Sequence, residues 1–347
     1  MKQVKKVLMI VILILLLGLS YGFSNKLAAL PELNKPSIIE IDGDEIYVLD
    51  DVVVKVYSLK ARRLLRQFGK KGHGPGELMP NDEIPLQMQL INGQVFVNSQ
   101  TKFVFFTKSG QVIKEKAFPF MYMQIIPLGK NYAMSKVGFD NIRQIFFRII
   151  LYDEKLNELK TIYTSEKSGT LRGTGKVTVP PNFTYMYRGG ERLLVYSGRQ
   201  EDLHVRVFDL EGNPLTPIKI DYQKSKWRDS SKKEIIDWIK ASPRFRIVPL
   251  ALEKVLEFPI YMPVIRNVVA ENNRVYVQTY KKKNNLSEFF IFDVDGKLLK
   301  RVFLLDASTY KVKMNPDITF TIKNNNYYYL VENLDNEEWE LHVSQVK

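Results

Sequence analysis

Residues 86–118 read LQMQLINGQVFVNSQTKFVFFTKSGQVIKEKAF, and this stretch decides the fold. Runs rich in β-branched and aromatic residues are separated in it by turn residues, first at Asn92 and Gly93 and again at Gly110. Asn and Gly tolerate the positive φ that tight hairpin turns require, so these positions predict chain reversals. The stretch therefore predicts four consecutive antiparallel strands, which is the size of one β-propeller blade.

The same order of strands and turns recurs along the chain. Six hairpins are predicted, with turns at Gly43, Asn92–Gly93, Gly129, Gly189–Gly190, Asn272–Asn273 and Asn324–Asn326. A third strand rich in aromatic residues follows each hairpin, and a fourth strand follows five of the six third strands. This repeat predicts an all-β chain in which residues 26–347 form a six-bladed β-propeller. The sixth unit has no fourth strand after it, so we expect residues 26–35 to complete its sheet and remove the exposed edges.

One interval between hairpins is longer than the others, and residues 228–258 account for the excess. Ser231 and Glu234 have the spacing of a capping box, and an apolar stripe follows at Ile235, Ile236, Trp238 and Ile239. PLALEKVLEF, residues 249–258, predicts a second short helix. We expect this helical insertion between blades four and five to pack on its neighbours, with a lid over one mouth of the ring or a docking element as alternatives.

The N-terminal segment differs from the rest of the chain. Three lysines precede an apolar run from Val7 to Leu17, and Gly18, Ser20 and Gly22 follow it. This is the order of a secretory signal, so residues 1–22 are predicted to be a signal peptide, with an uncleaved membrane anchor as the alternative. We expect an exported protein, periplasmic or extracellular, that contacts a membrane only if the segment stays as an anchor of the inner membrane.

Composition excludes several kinds of site. The sequence has no cysteine, which removes disulfides, thiolate metal sites and cysteine nucleophiles. The formal net charge is +13, which can attract anionic polymers or phospholipids but is as readily a means of solubility. Export and the lack of any nucleic-acid-binding motif argue against a nucleic-acid partner. We expect a monomer.

The segment RQFGKKGHGPGEL, residues 66–78, resembles the inter-blade loop of NHL-type propellers and of bacterial exported six-bladed β-propeller proteins. FPIYMPVIRNVVAENNRVYV, residues 258–277, is similar to the segment that opens a later blade in that group. The resemblance implies the propeller fold more than any activity. In the loop, Gly72, Gly74 and Gly76 allow a tight reversal and Pro75 restricts one dihedral, so these four residues are predicted to form the turn between blades. A phosphate-binding loop is not expected, because no Lys-Ser or Lys-Thr and no helix pattern follow it.

Residues able to carry catalysis are scarce. The three histidines, His73, His204 and His342, are not placed to converge on one metal ion. Propeller lactonases, which share the implied fold, hold calcium with carboxylates and Asn. Here the carboxylates near strand ends are Asp42, Asp44, Asp50, Asp51, Asp140 and Glu271, and none recurs in several blades. We therefore expect no catalytic residue, no metal ligand and no cofactor.

A binding site is predicted where the first strands of the blades begin, because first strands line the centre of a propeller. Gln87, Gln124, Tyr185 and Arg266 lie there and offer hydrogen bonds or charge to a ligand. The predicted function is a non-enzymatic binding or scaffold module for a protein, peptide or glycan of the cell envelope. The alternative is a calcium-dependent hydrolase or lyase of the propeller lactonase type.

Overall fold

The computed structural model describes residues 25–79, 86–99, 102–118, 124–140, 144–166, 168–170, 177–179, 183–241, 256–306 and 320–346. These residues form six antiparallel sheets arranged as the blades of a propeller. The predicted fold class, an all-β six-bladed propeller with a helical insertion between blades four and five, is confirmed. The predicted signal segment, residues 1–22, lies outside the described residues.

The first three blades follow one another in chain order. The first blade comes after β1 (Asn25–Leu30) and consists of β2 (Pro36–Asp42), β3 (Glu45–Asp50), β4 (Val53–Ser58) and β5 (Leu64–Phe68). The second comes after the short β6 (Lys70–Lys71) and β7 (Glu77–Leu78) and consists of β8 (Gln87–Ile91), β9 (Gln94–Asn98), β10 (Lys102–Thr107) and β11 (Val112–Ala117). The third consists of β12 (Gln124–Leu128), β13 (Asn131–Phe139), β14 (Gln144–Tyr152) and β15 (Glu158–Thr164), with β16 (Ser168–Thr170) also paired to β14.

The last three blades include the insertion and the ring closure. The fourth comes after β17 (Val177–Thr178) and consists of β18 (Thr184–Gly189), β19 (Arg192–Ser197), β20 (His204–Phe208) and β21 (Pro214–Lys219). The fifth comes after helix α1 (Asp229–Ala241) and β22 (Leu256–Glu257), and it consists of β23 (Ile265–Glu271), β24 (Arg274–Lys283), β25 (Leu286–Asp293) and β26 (Leu298–Leu305). The sixth consists of β27 (Phe320–Lys323), β28 (Asn326–Asn333), β29 (Glu338–Gln345) and the early strand β1.

The hydrophobic core lies between the blades. In the described part of the chain, six clusters of buried side chains each join two neighbouring blades, including the first and the sixth. Alternate residues of one strand point to opposite neighbours: Tyr47 of β3 packs towards the second blade, while Ile46 and Val48 pack towards the sixth. A blade buries both of its faces only when it has a neighbour on each side. The closed ring is therefore the arrangement that satisfies every sheet.

The ring closes through β1, as the sequence predicts. β1 pairs antiparallel with β29, with Lys26 opposite His342 and Leu30 opposite Trp339. The predicted segment, 26–35, is longer than the strand, which ends at Leu30. Lys26 Nζ donates to Glu340 Oε1 at 2.6 Å, so a charge-assisted contact accompanies the backbone pairing.

The insertion differs in part from the prediction. Helix α1 begins at Asp229, so Ser231 lies inside the helix and the predicted capping box is wrong. Ile235 and Ile239 are buried against Val179 and Trp227, which agrees with packing on neighbouring structure. The predicted second helix is wrong at its end, because Leu256 and Glu257 form β22 and pair in parallel with β17; residues 249–255 lie outside the described ones. Among the residues that the structure describes, no helix has the length and hydropathy of a membrane span.

We predict that the closure weakens in acid because of Glu340. Hydrogen bonds from Lys26, Asn333 and His342 lower the pKa of Glu340 to about 2. A carboxyl whose pKa is lower in the folded chain stabilises the fold above its unfolded pKa, and this contribution is lost as the pH falls towards 2. Glu340→Gln should therefore lower the melting temperature at pH 6 and reduce its fall between pH 4.5 and pH 2, as measured by circular dichroism. Glu158→Gln, on an exposed outer strand, is the matched control; identical pH profiles for Glu340→Gln and the unsubstituted protein would contradict the prediction.

Candidate functional site

A cavity of about 300 Å³ lies at the centre of the ring. It is found where the first strands of the blades end and turn into the second strands. The first, second, fourth, fifth and sixth blades contribute to its lining. Its charged residues are Glu40, Asp42, Arg188, Glu271 and Lys323.

The geometry of the first strands brings these charges together. Along β2, Ile39 and Ile41 are buried at the interface with the sixth blade, while Glu40 and Asp42 alternate with them and line the cavity. Asp42 is the last residue of its first strand. Glu271 and Lys323 hold the same position in the fifth and sixth blades. Equivalent positions of a repeated fold thus deliver different charges to one place.

Glu271 and Lys323 form an ion pair across the interface of the fifth and sixth blades. Lys323 Nζ lies 3.2 Å from Glu271 Oε1 and 3.3 Å from Oε2. Asp42 is paired separately, with Lys108 of the second blade. Both carboxylates therefore have a cationic partner within the protein.

Glu40 is in a different position. Burial raises the pKa of Glu40 to about 8, the charge of Lys323 opposes this rise and the charge of Glu271 adds to it. The neighbouring Tyr187 also has a pKa well above its usual value, because it is buried and because Glu40 and Glu271 lie near it. The cavity thus holds a carboxyl group that stays largely protonated near neutral pH.

Arg188 contributes a cation on the opposite side of the ring. Its Nε donates to the carbonyl of Gly190 and its Nη1 donates to the carbonyl of Pro127, both at 2.9 Å. Burial lowers the pKa of Arg188, and Glu191 opposes this only through its charge. One guanidinium donor therefore joins the fourth blade to the third, and another holds the hairpin turn of the fourth blade.

Comparison with known families identifies the family of this chain. The sequence profile of DUF5128, described as "6-bladed beta-propeller", matches residues 31–236, which is more than half of the chain. The chain belongs to the DUF5128 family. No curated protein matches the sequence significantly.

Solved propellers are similar to this DUF5128 chain in fold. A member of the duf4221 family from Bacteroides vulgatus has a TM-score of 0.52 at 13% identity, over 93% of this chain and 97% of that chain. The Pan2 WD40 domain of Neurospora crassa has a TM-score of 0.49 at 8% identity, over 92% and 95% of the two chains. BamB from Moraxella catarrhalis has a TM-score of 0.34 at 10% identity, over 88% and 71%. At 13% identity the first similarity concerns the fold alone, and the other two superpose too loosely to add to it.

The four residues predicted to bind a ligand lie at the other end of the first strands. Gln87 begins β8, two residues before the lining residue Gln89, which is about 7 Å further along the strand at about 3.3 Å per residue. Gln124 begins β12, a strand that does not contribute to the lining. Tyr185 and Arg266 lie at corresponding starts, and none of the four is among the lining residues of the cavity. A ligand at that end of the ring stays a prediction.

Gln87 and Gln124 both connect a blade to the next one. Gln87 Oε1 accepts a hydrogen bond from the Ile125 amide at 3.3 Å. Gln124 accepts from the Met186 amide and donates to the Met186 carbonyl, both at 2.6 Å. Each glutamine thereby satisfies backbone groups of the neighbouring first strand.

Tyr185 and Arg266 are also engaged by other side chains. The Tyr185 ring stacks on Tyr196 with centroids 5.3 Å apart, and burial holds the pKa of Tyr185 well above its usual value. Arg266 Nη1 lies 3.2 Å from both carboxylate oxygens of Asp306. A ligand at the first-strand starts would have to compete with these contacts.

The glycine-rich loop lies between the first and second blades. Gly76 has φ +69°, and a Cβ there would lie 2.6 Å from Val112 Cγ2. A Cβ at Gly72 would lie 2.0 Å from Glu77 Oε2, the oxygen that accepts from the Gly74 amide at 2.8 Å. The loop formed by Gly72, Gly74, Pro75 and Gly76 thus folds around the Glu77 side chain, an arrangement that leaves no room for a side chain at Gly72.

Of the carboxylates considered for calcium, some line the cavity and others hold turns. Asp42 and Glu271 line the cavity, whereas Asp44 accepts from the Lys60 amide and Asp50 from the Asn34 and Lys35 amides, so these two hold turns. Within the described ranges, no group of three or more His, Asp or Glu side chains is arranged to hold a metal ion.

Sequence reasoning missed Glu40, Arg188 and Lys323 as site residues. All three lie on predicted first strands, within three residues of a predicted Gly or Asn turn. A charged side chain on an inner strand is unusual because both faces of a blade are buried, and this signal was available in the sequence.

Gln124→Ala should destabilise the fold. It would remove both hydrogen bonds to Met186 and leave a half-buried amide and carbonyl without partners, which costs about 2 kcal/mol. The loss would be measured as the free energy of unfolding in urea. Gln111→Ala, in an exposed turn, is the matched control and should change it by less than about 0.5 kcal/mol. Equal stabilities of the two variants would show that the contact with Met186 contributes nothing.

Glu40→Gln should have the opposite effect, and its size should depend on pH. A carboxyl whose pKa is raised on folding makes the folded chain less stable as the pH rises from its unfolded pKa towards about 8. Glutamine has no such cost. The melting temperature of Glu40→Gln should therefore exceed that of the unsubstituted protein by a margin that widens between pH 5 and pH 8, while Glu158→Gln should show no such trend. A constant margin would mean that Glu40 titrates normally.

Proposed function

We propose that this chain is an exported propeller that acts as a binding module, and that its ligand enters the central cavity. The observation that carries the proposal is the lining of that cavity. Side chains from five blades converge there, and they include a carboxyl of raised pKa, an ion pair and a half-buried guanidinium. Concave sites with a few convergent polar groups and perturbed pKa values are the usual form of ligand sites.

The size of the cavity limits the ligand. About 300 Å³ corresponds to roughly ten water molecules at about 30 Å³ each. One side chain or one sugar ring fits in that space, whereas a folded domain does not. A protein partner would therefore insert a single group while its remainder rests on the rim, and a peptide or glycan would insert one residue.

Export rests on the sequence. Residues 1–22 have the order of a signal peptide, and the loop of residues 66–78 resembles that of bacterial exported, NHL-like propellers. The protein then works in the periplasm or outside the cell, free or held at the inner membrane by an uncleaved N-terminus. An envelope scaffold is one form of this function.

A hydrolase or lyase is the second candidate, and Glu40 is the observation that favours it. A carboxyl group that stays protonated near neutral pH can act as a general acid, and Glu271 lies near it. The calcium-dependent form of this candidate requires a bound ion. Stoichiometric calcium in the purified protein, with a lower melting temperature after chelation, would support it over the binding module.

Filling the cavity tests the leading proposal. Gln89 lines the cavity, so Gln89→Trp should occupy part of it and abolish binding, whereas Gln111→Trp on the outer surface should bind as the unsubstituted chain does. Ligands would be sought with a peptide library, a glycan array and envelope extract, each probed with all three forms of the full chain. If every ligand found bound the Gln89→Trp variant equally well, or if no ligand were found, the proposal would be wrong.

A further inference from the structure

We propose that the central cavity takes an alkylammonium group, such as a lysine side chain, and that the carboxylate of Glu40 is its counter-charge. This inference rests on the proposed function and specifies the chemistry of its ligand. It follows from which carboxyl groups of the cavity already have a counter-charge and which one does not.

The cavity has one carboxyl group without a counter-charge. Glu271 is paired with Lys323, and Asp42 is paired with Lys108. Among the described residues, none donates a hydrogen bond to Glu40 or forms an ion pair with it. Lys323 affects Glu40 only through its charge, because its ammonium group is held by Glu271. A cationic group of a ligand would give Glu40 a counter-charge.

An anionic ligand would be poorly served in the same space. Arg188 forms no ion pair within the described ranges, but its Nε and Nη1 already donate to backbone carbonyls. Lys323 Nζ donates to Glu271 Oε2 and lies 3.2 Å from Oε1. An anion would also face the carboxyl groups of Glu40, Asp42 and Glu271, which line the same cavity. These three carboxyl groups outnumber the two cations of the lining, Arg188 and Lys323, so a cation of the ligand is the better electrostatic match.

The remaining lining favours an alkyl stem behind the ammonium head. Ile41, Leu90, Ile91 and Ala270 are also lining residues, and of these Leu90 and Ala270 are only partly buried. A lysine side chain has a four-carbon apolar stem and a compact ammonium group, so it can contact both kinds of surface. A guanidinium is planar and wider than an ammonium group.

Binding should be coupled to release of a proton. In the empty cavity Glu40 is largely protonated below pH 8, and an ammonium group beside it favours the ionised form. The other groups facing Glu40 are Lys323, Glu271, Tyr187, Arg188 and Asp42. Tyr187 stays neutral in this range because its pKa lies well above its usual value. Lysine itself stays charged, so the affinity should rise by up to about tenfold per pH unit towards pH 8 and level off above it.

Calorimetric titration of the full chain tests the inference with four probes. These are Nα-acetyl-lysine methylamide, cadaverine, Nα-acetyl-norleucine methylamide and calcium chloride alone. The two amines distinguish a peptide side chain from a free alkylamine as the source of the group, and the norleucine probe has the alkyl stem without the charge. We expect saturable binding of at least one amine, no binding of norleucine, and an affinity that increases between pH 6 and pH 8.

Variants separate the role of Glu40 from a general effect on the fold. Glu40→Gln, checked for folding by circular dichroism, should weaken amine binding at pH 8 at least tenfold and remove its pH dependence. Glu158→Gln, on the exposed outer strand β15, should leave both unchanged. Equal binding of lysine and norleucine probes, amine binding independent of pH, or full binding by Glu40→Gln would overturn the inference.

Failure of the inference can be told from failure of the proposed function. If a library ligand without an amine binds and Gln89→Trp abolishes its binding, the cavity is a ligand site but not an ammonium site. If calcium alone binds, Glu40→Gln removes that binding and neither amine binds, the counter-ion of Glu40 is a metal and the inference is wrong. If no ligand depends on the cavity, both proposals are wrong.

Discussion

The pairing of β1 with β29 is the constraint on which the rest of this propeller depends. Each sheet buries side chains on both faces, so every blade needs two neighbours, and the first and sixth blades find each other only when the ring is closed. Closure also creates the cavity. Glu40 comes from the first blade and Lys323 from the sixth, so two residues near opposite ends of the sequence meet only because an early strand completes the last sheet.

The electrostatics of the cavity follow from its construction out of inner strands. Five blades surround the cavity, and a partly buried space of this kind solvates ions more poorly than bulk water. A carboxyl group there either forms an ion pair or stays protonated. Glu271 and Asp42 form ion pairs with lysines, whereas the pKa of Glu40 is raised so that it stays largely protonated. The same surroundings give different outcomes because only two of the three carboxylates have a lysine in reach.

Local chemistry was sufficient to predict the fold but not the site. Asn92 and Gly93 have positive φ, as do Asn272 and Asn273, so the hairpins and their order could be read directly from turn residues. The closing strand could also be predicted, because a sheet edge with unpaired backbone groups is unfavourable in any protein. Predicting the site would have required the position of each first-strand residue along the ring axis. Gln124 and Glu40 are both polar residues on first strands, yet one bonds the backbone of the next blade and the other lines the cavity. In the sequence, only the charge of Glu40 distinguishes the two.

The repeat explains why the cavity can carry a specific set of charges without disturbing the fold. The last residue of the first strand is Asp42, Ile91, Leu128, Gly189, Glu271 and Lys323 in successive blades. All six lie at the hairpin end of the ring. Ile91 and Leu128 belong to inter-blade cores, and a Cβ at Gly189 would lie 2.4 Å from Ala270 Cβ, so packing constrains these three positions. Asp42, Glu271 and Lys323 are only partly buried, and packing constrains them less. A ring of six blades with six different residues at these positions can hold an asymmetric group of charges. In the proposed site, Glu271 has a counter-charge and Glu40 does not, and this difference allows the centre of the ring to distinguish one ligand charge from another.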